Sequence, residues 1–128
     1  MKSNKEIVTQ MYDAVGAGNM EAVYSAMSED ICWINHSPEN SNLRGEYTGI
    51  EGVRDFFGRL MSSAIPLRLE ILDLIAEGDW VLARISGTYK NPKTEYQEDT
   101  TLAHLFKIVD GKINRFEDWP GVTSKLFE

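Results

Sequence analysis

At Pro66 the hydrophobic period of the chain changes from the three-and-four spacing of helices to the alternation of strands, and this switch limits the fold more than any other feature. Before it, Ser3-Asn4-Lys5-Glu6 has the form of a capping box that opens a helix. Ile7, Val8, Met11, Tyr12 and Val15 then draw one apolar stripe that ends at Gly16 and Gly18. Asn19 is placed to cap a second short helix with Met20, Val23, Tyr24 and Met27 inward, and Ile31 to Ile34 reads as a strand. His36 to Glu46 is rich in Ser, Pro, Asn and Gly without periodicity, so a loop is expected there, long enough to act as a lid. Thr48-Gly49-Ile50-Glu51 repeats the capping form ahead of Val53, Phe56, Phe57 and Leu60, a third helix that Pro66 bars from continuing.

After Pro66, Leu67, Leu69 and Ile71 alternate with Arg68 and Glu70, and Leu72 and Leu74 continue on the other parity, which predicts a bulge at Ile71 and Leu72. Turns are expected at Glu77-Gly78-Asp79 and at Asn91-Pro92-Lys93. Further strands are expected from Trp80 to Tyr89, from about Tyr96 to Val109 and from Lys112 to Trp119. Helices first and a meander afterwards predict an α+β fold, a curved antiparallel sheet with three helices from the N-terminal half on one face. The length, 128 residues, suits a single domain over residues 1–128.

Composition narrows the partners. The net charge is -7, and the thirteen Lys and Arg residues are scattered, which argues against a nucleic-acid backbone as partner. Apolar runs such as ILDLIA are broken by charge well short of a membrane span. The single cysteine, Cys32, lies in an apolar run, so neither an internal disulfide nor a cysteine-based zinc site is expected. The two histidines and the carboxylates show no metal-ligand spacing, and no glycine-rich phosphate loop is present; neither metal nor other cofactor is expected. Lys2 to Gln10 reads as a charged helix rather than a signal peptide, which suggests the cytoplasm.

The last hairpin, HLFKIVDGKINRFEDW, raises the question of chemistry, because it ends on Asp118 beside Trp119. A two-residue turn at Asp110-Gly111 sets Val109 against Lys112 and, counting outward, Leu105 against Phe116 and Ala103 against Asp118. His104, Phe106, Ile108, Glu117 and Trp119 then fall on the outer face, and the small Ala103 leaves open space beside the carboxylate. A longer loop with a bulge sets His104 against Asp118 instead. Of the two registers, the first is the one expected.

The segments YDAVGAGNMEAVYSAMSEDICW, RGEYTGIEGVRDFF and HLFKIVDGKINRFEDW, in this order, resemble the nuclear transport factor two-like or ketosteroid-isomerase-like superfamily, and within it the SnoaL-like proteins related to polyketide cyclases. The resemblance spans nearly the whole chain. It implies a cone-shaped α+β barrel with an apolar pocket between helices and sheet, and a homodimer through the sheet's outer face. In the ketosteroid isomerases the mechanism uses a tyrosine, a carboxylate base and a protonated aspartic acid, the last being a carboxyl that an apolar site keeps neutral. Here the tyrosine matches Tyr12, the base falls on Asn35 or His36, and the aspartic acid falls on Ala103, so the steroid-isomerase reaction itself is not expected.

The resemblance and the hairpin together nominate Asp118, Tyr12, Asn35 and His36 for acid/base work. Trp33, Phe56, Phe57, Leu60 and Phe116 are candidate walls of a ligand pocket, with Leu69, Ile85, Ala103 and Leu105 beside them. The expected function is a cofactor-free isomerase, cyclase or hydratase acting on a small apolar carbonyl or hydroxyl compound. The alternative is a non-catalytic ligand-binding or dimerisation module of the same fold.

Overall fold

The computed structural model describes residues 2–128. Helix α1, Asn4–Gly16, is opened by Ser3, whose hydroxyl accepts a hydrogen bond from the Glu6 amide, and α2, Met20–Ser25, is opened by Asn19 in the same way through the Ala22 amide. Both N-caps are those expected from the sequence. Strand β1 is longer than expected, Met27–Asn35, and takes Met27 out of the second helix. A short strand β2, Gly45–Thr48, closes the polar loop against β1, so Thr48 is spent on the pairing with Cys32 and makes no side-chain cap for α3, Gly49–Ser63. Gly49, at φ 74°, turns the chain from strand into helix.

Strands β3 (Ile65–Glu77), β4 (Trp80–Lys90), β5 (Gln97–Val109) and β6 (Lys112–Trp119) form the expected meander. The sheet has six strands in the order β2-β1-β6-β5-β4-β3. It is mixed rather than purely antiparallel, because β1 lies parallel to β6. Pro66 sits on β3, the edge strand, where its missing N–H costs no interior ladder bond. The register of β3 against β4 shifts between Ile71 and Asp73, where the parity change at Leu72 predicts it. The helices cover the concave face, and the core between the layers holds Val8, Val23, Ile31, Val53, Val81, Ile85, Phe106 and Ile113, each 0–1% exposed. A 3-10 turn, Ser124–Phe127, returns after β6 and buries Leu126 completely.

The hairpin joining β5 and β6 corrects the expected register. Asp110 and Gly111 have φ of 52° and 76°, as a two-residue primed turn requires, and Val109 pairs with Lys112. Two residues later Asn114 bulges out of the ladder, so that Lys107 pairs with Arg115 and Phe106 with Phe116. From there outward His104 faces Asp118, and Ala103 faces Trp119. The cause is burial: Ile113 and Phe116 are both buried although three residues apart, and a regular strand places such a pair on opposite faces. Phe106 and Ile108, expected outside, are therefore core residues at 0% and 2% exposure, whereas Trp119 is on the outer face.

Candidate active site

Asp118 follows Phe116 on the inward parity of β6 and is buried, as is its neighbour across the parallel ladder, Asn35. Asn35 Nδ2 donates to Asp118 Oδ2 at 3.2 Å, and Asn35 Oδ1 accepts from the Ser37 amide at 2.9 Å, which fixes the orientation of the amide group. On the other side His104 Nε2 lies 3.2 Å from Asp118 Oδ1. Their alignment falls outside hydrogen-bond geometry, so the contact is one of charge and proximity rather than a directed bond. The opposite ring nitrogen, Nδ1, is 2.6 Å from the Tyr12 hydroxyl, and the two rings stack with centroids 5.9 Å apart. Four polar side chains thus form a file, Asn35, Asp118, His104 and Tyr12, contributed by β1, β6, β5 and α1.

The file lies along an apolar cavity between the helices and the sheet, with about 70 Å³ open to the centres of water-sized molecules. A single water needs roughly 10–15 Å³ by that measure, so the free space is several times that of one water. Trp33, Phe56, Phe57, Leu60, Leu69 and Phe116 line it. Trp33 stacks on Phe116 at 3.9 Å between centroids and touches Phe56 and Phe57. A wider cleft of about 830 Å³ between α1, α3 and β3 shares Tyr12, Val15, Phe57, Leu60, Pro66 and Leu69 with the cavity and is flanked by the exposed Met61 and Leu67.

Four nominated residues are elsewhere. His36 follows the inward-facing Asn35 and so points outward: it stacks on Trp119 with centroids 4.9 Å apart, its Nε2 3.4 Å from Glu117 Oε1. Only its backbone serves the site, donating to the Asp118 carbonyl at 2.9 Å. Ala103 and Leu105 are turned to the outer face by the bulge at Asn114, and Ile85 borders the wider cleft rather than the cavity. In their place the cavity gains His104, Ser37 and Tyr89. His104 is the partner that the second hairpin register names. Tyr89 continues the inward series Val81, Ala83, Ile85 and Gly87, a signal legible in the alternation of β4.

Burial, and after it the negative charge of Asp118 and the neighbouring Tyr89, hold the Tyr12 hydroxyl well above the usual tyrosine range. Tyr12 as a residue is only partly buried, but its hydroxyl lies at the enclosed end, against His104. Tyr89 is raised as well, again by burial first and Asp118 second. Both phenols therefore stay protonated through the neutral range.

The model of the SnoaL-like domain matches residues 8–116. The chain belongs to the SnoaL-like domain family. This SnoaL-like chain is similar in structure to an NTF2-like protein of unknown function from Burkholderia pseudomallei, with a TM-score of 0.83, 20% identity, and 92% of this chain and 90% of that one covered. It is also similar to TerC co-crystallised with polyporic acid, at a TM-score of 0.80 and 24% identity over 90% and 88% of the two chains. A third similar structure is a hypothetical protein from Catenulispora acidiphila with a ketosteroid isomerase-like fold, in complex with trimethylamine, at 0.77 and 18% over 93% and 88%. No curated protein matches the sequence. At these identities the solved structures establish that this SnoaL-like domain has the NTF2-like fold. Among the described residues no helix is long and apolar enough to cross a membrane.

Proposed function

We propose that this protein is a cofactor-free acid/base enzyme that moves a proton on a small apolar carbonyl or hydroxyl compound. The observation that carries the reading is the file of four polar side chains set into the wall of an otherwise apolar cavity. In the tautomer whose single N–H is on Nε2, beside Asp118, Nδ1 is an acceptor and Tyr12 donates its hydrogen to it. A proton leaving the substrate for the Tyr12 oxygen displaces the phenolic hydrogen onto Nδ1. The imidazolium so formed faces the Asp118 carboxylate, and the reverse transfer returns a proton to a different atom of the same substrate. Asn35 holds the carboxylate in place, and Trp33, Phe57 and Phe116 stack the apolar body. The likeness to TerC, co-crystallised with polyporic acid, supports a small-molecule occupant for this fold.

Exchange of the α-protons of acetophenone in deuterated buffer, followed by NMR, tests the reading on a simple aromatic ketone. The wild type is expected to accelerate exchange over buffer, and Asp118→Asn to slow that reaction roughly 100-fold or more. Binding of acetophenone with exchange no faster than in buffer identifies a binding module instead.

We also propose that two copies pair through the outer sheet face. Ile75, Leu82 and Leu105 form an apolar row across β3, β4 and β5, flanked by Trp80 and Trp119. That face is more apolar than a solvated sheet requires.

A further inference from the structure

We infer that Tyr89 positions a second oxygen of the substrate, so that the cavity takes an aromatic-sized compound with two oxygen functions, one at Tyr12 and one at Tyr89. The inference rests on the acid/base reading above and adds the substrate class to it.

Tyr89 lies near the end of β4, is 6% exposed, and lines the cavity that also holds Tyr12, His104 and Asp118. Its hydroxyl makes no hydrogen bond among the described residues, and it is not among the polar atoms closed off from all free space. Two other tyrosines of this chain are partnered, whereas the hydroxyl of Tyr24, which borders the wider cleft and not the cavity, also makes no hydrogen bond among the described residues. Tyr47, buried to a similar degree at 7%, donates to the Leu43 carbonyl at 2.8 Å, and the Tyr12 hydroxyl is committed to His104 at 2.6 Å. Trp33 Nε1 and Ser37 Oγ also lack partners, but both atoms are sealed inside the wall and do not face the free space.

A phenylalanine at this position fills the same volume without burying a polar group. Natural structures pair such groups in the great majority of cases, so a hydroxyl left facing a cavity marks a ligand contact. Burial and the nearby Asp118 both oppose ionisation, so Tyr89 is a donor, suited to a carbonyl, phenol or enolate oxygen. Donation from Tyr89 also discriminates, because a site built to hydrogen-bond an oxygen disfavours analogues that lack it.

The test compares phenol with catechol, resorcinol and hydroquinone, which share one ring size and differ in the presence and spacing of a second oxygen. By calorimetric titration of the wild-type protein, at least one of the three diols is expected to bind about 10-fold more tightly than phenol, and Tyr89→Phe to abolish that advantage while changing phenol affinity less than about 2-fold. In the wild type, the ¹³Cζ resonance of Tyr89 is expected to shift with that diol and not with phenol, a readout that needs no variant. If no diol exceeds phenol, if phenol itself does not bind, or if Tyr89→Phe keeps the advantage, the inference is overturned. Phenol binding that ignores both Tyr12→Phe and Asp118→Asn counts against the acid/base file instead and leaves the role of Tyr89 standing.

Discussion

The 2.6 Å contact between Tyr12 and His104 joins a helix residue to a strand residue, and the phenol in it is held protonated by its surroundings. That has a consequence for stability. In the unfolded chain a tyrosine ionises near pH 10, while in the folded chain Tyr12 and Tyr89 ionise only well above it. The stabilisation is therefore fully present below about pH 10 and is lost as pH rises above that value, each phenol contributing a slope of about 1.4 kcal/mol per pH unit. Urea midpoints are expected to show no loss from these phenols between pH 8 and about 10, and above about pH 10 to fall steeply for the wild type and less steeply for a Tyr12→Phe, Tyr89→Phe double variant. Equal slopes would show that these phenols do not carry the effect. A second residue-scale prediction concerns Gly121, at φ 64°, where an added Cβ comes within 2.5 Å of the Thr101 carbonyl oxygen. Gly121→Ala is expected to cost at least about 1–2 kcal/mol by chemical denaturation, with the β6 end and Asp118 displaced.

At the scale of elements, the helices and strands are legible because each carries one uninterrupted period: the stripe from Ile7 to Val15, and the alternation from Trp80 to Tyr89. The short β2 is hidden in a polar loop with no apolar alternation to announce it. The hairpin is the instructive case. Asp110-Gly111 specifies the turn correctly, but a turn rule counts outward on the assumption of a regular ladder. The parity test that finds the bulge at Leu72 also finds the one at Asn114, once Ile113 and Phe116 are both recognised as core. Without it Asp118 is placed correctly, and its real partner, His104, is assigned to the wrong face. The terminal 3-10 turn carries a further prediction, because Leu126 and Phe127 line the cavity and Asn91 Nδ2 ties the Leu126 carbonyl at 2.8 Å. Leu126→Ala is expected to lower stability by about 2–5 kcal/mol, read from urea unfolding, and to weaken or loosen ligand binding by enlarging the cavity.

For the molecule as a whole, the family resemblance nominates the candidate site, and the geometry shows which of its residues meet. Tyr12, Asn35 and Asp118 are nominated from sequence and meet in space; His36 is lost to the outer face because one step along a strand reverses a side chain. The apolar row on that outer face leads to an assembly prediction. Sedimentation of the wild type is expected to give a dimer, and Leu82→Glu with Ile75→Arg to give a folded monomer; a monomeric wild type would refute the pairing. The parallel contact between β1 and β6 has one more effect, which concerns time rather than shape. It sets Asn35 beside Asp118, just as the packing of α1 sets Tyr12 against His104, so each half of the file is separated from the other by most of the polypeptide. A ribosome releases Tyr12 and Asn35 long before it makes the two residues they depend on, so the proposed proton transfer cannot begin until synthesis has passed the final strand.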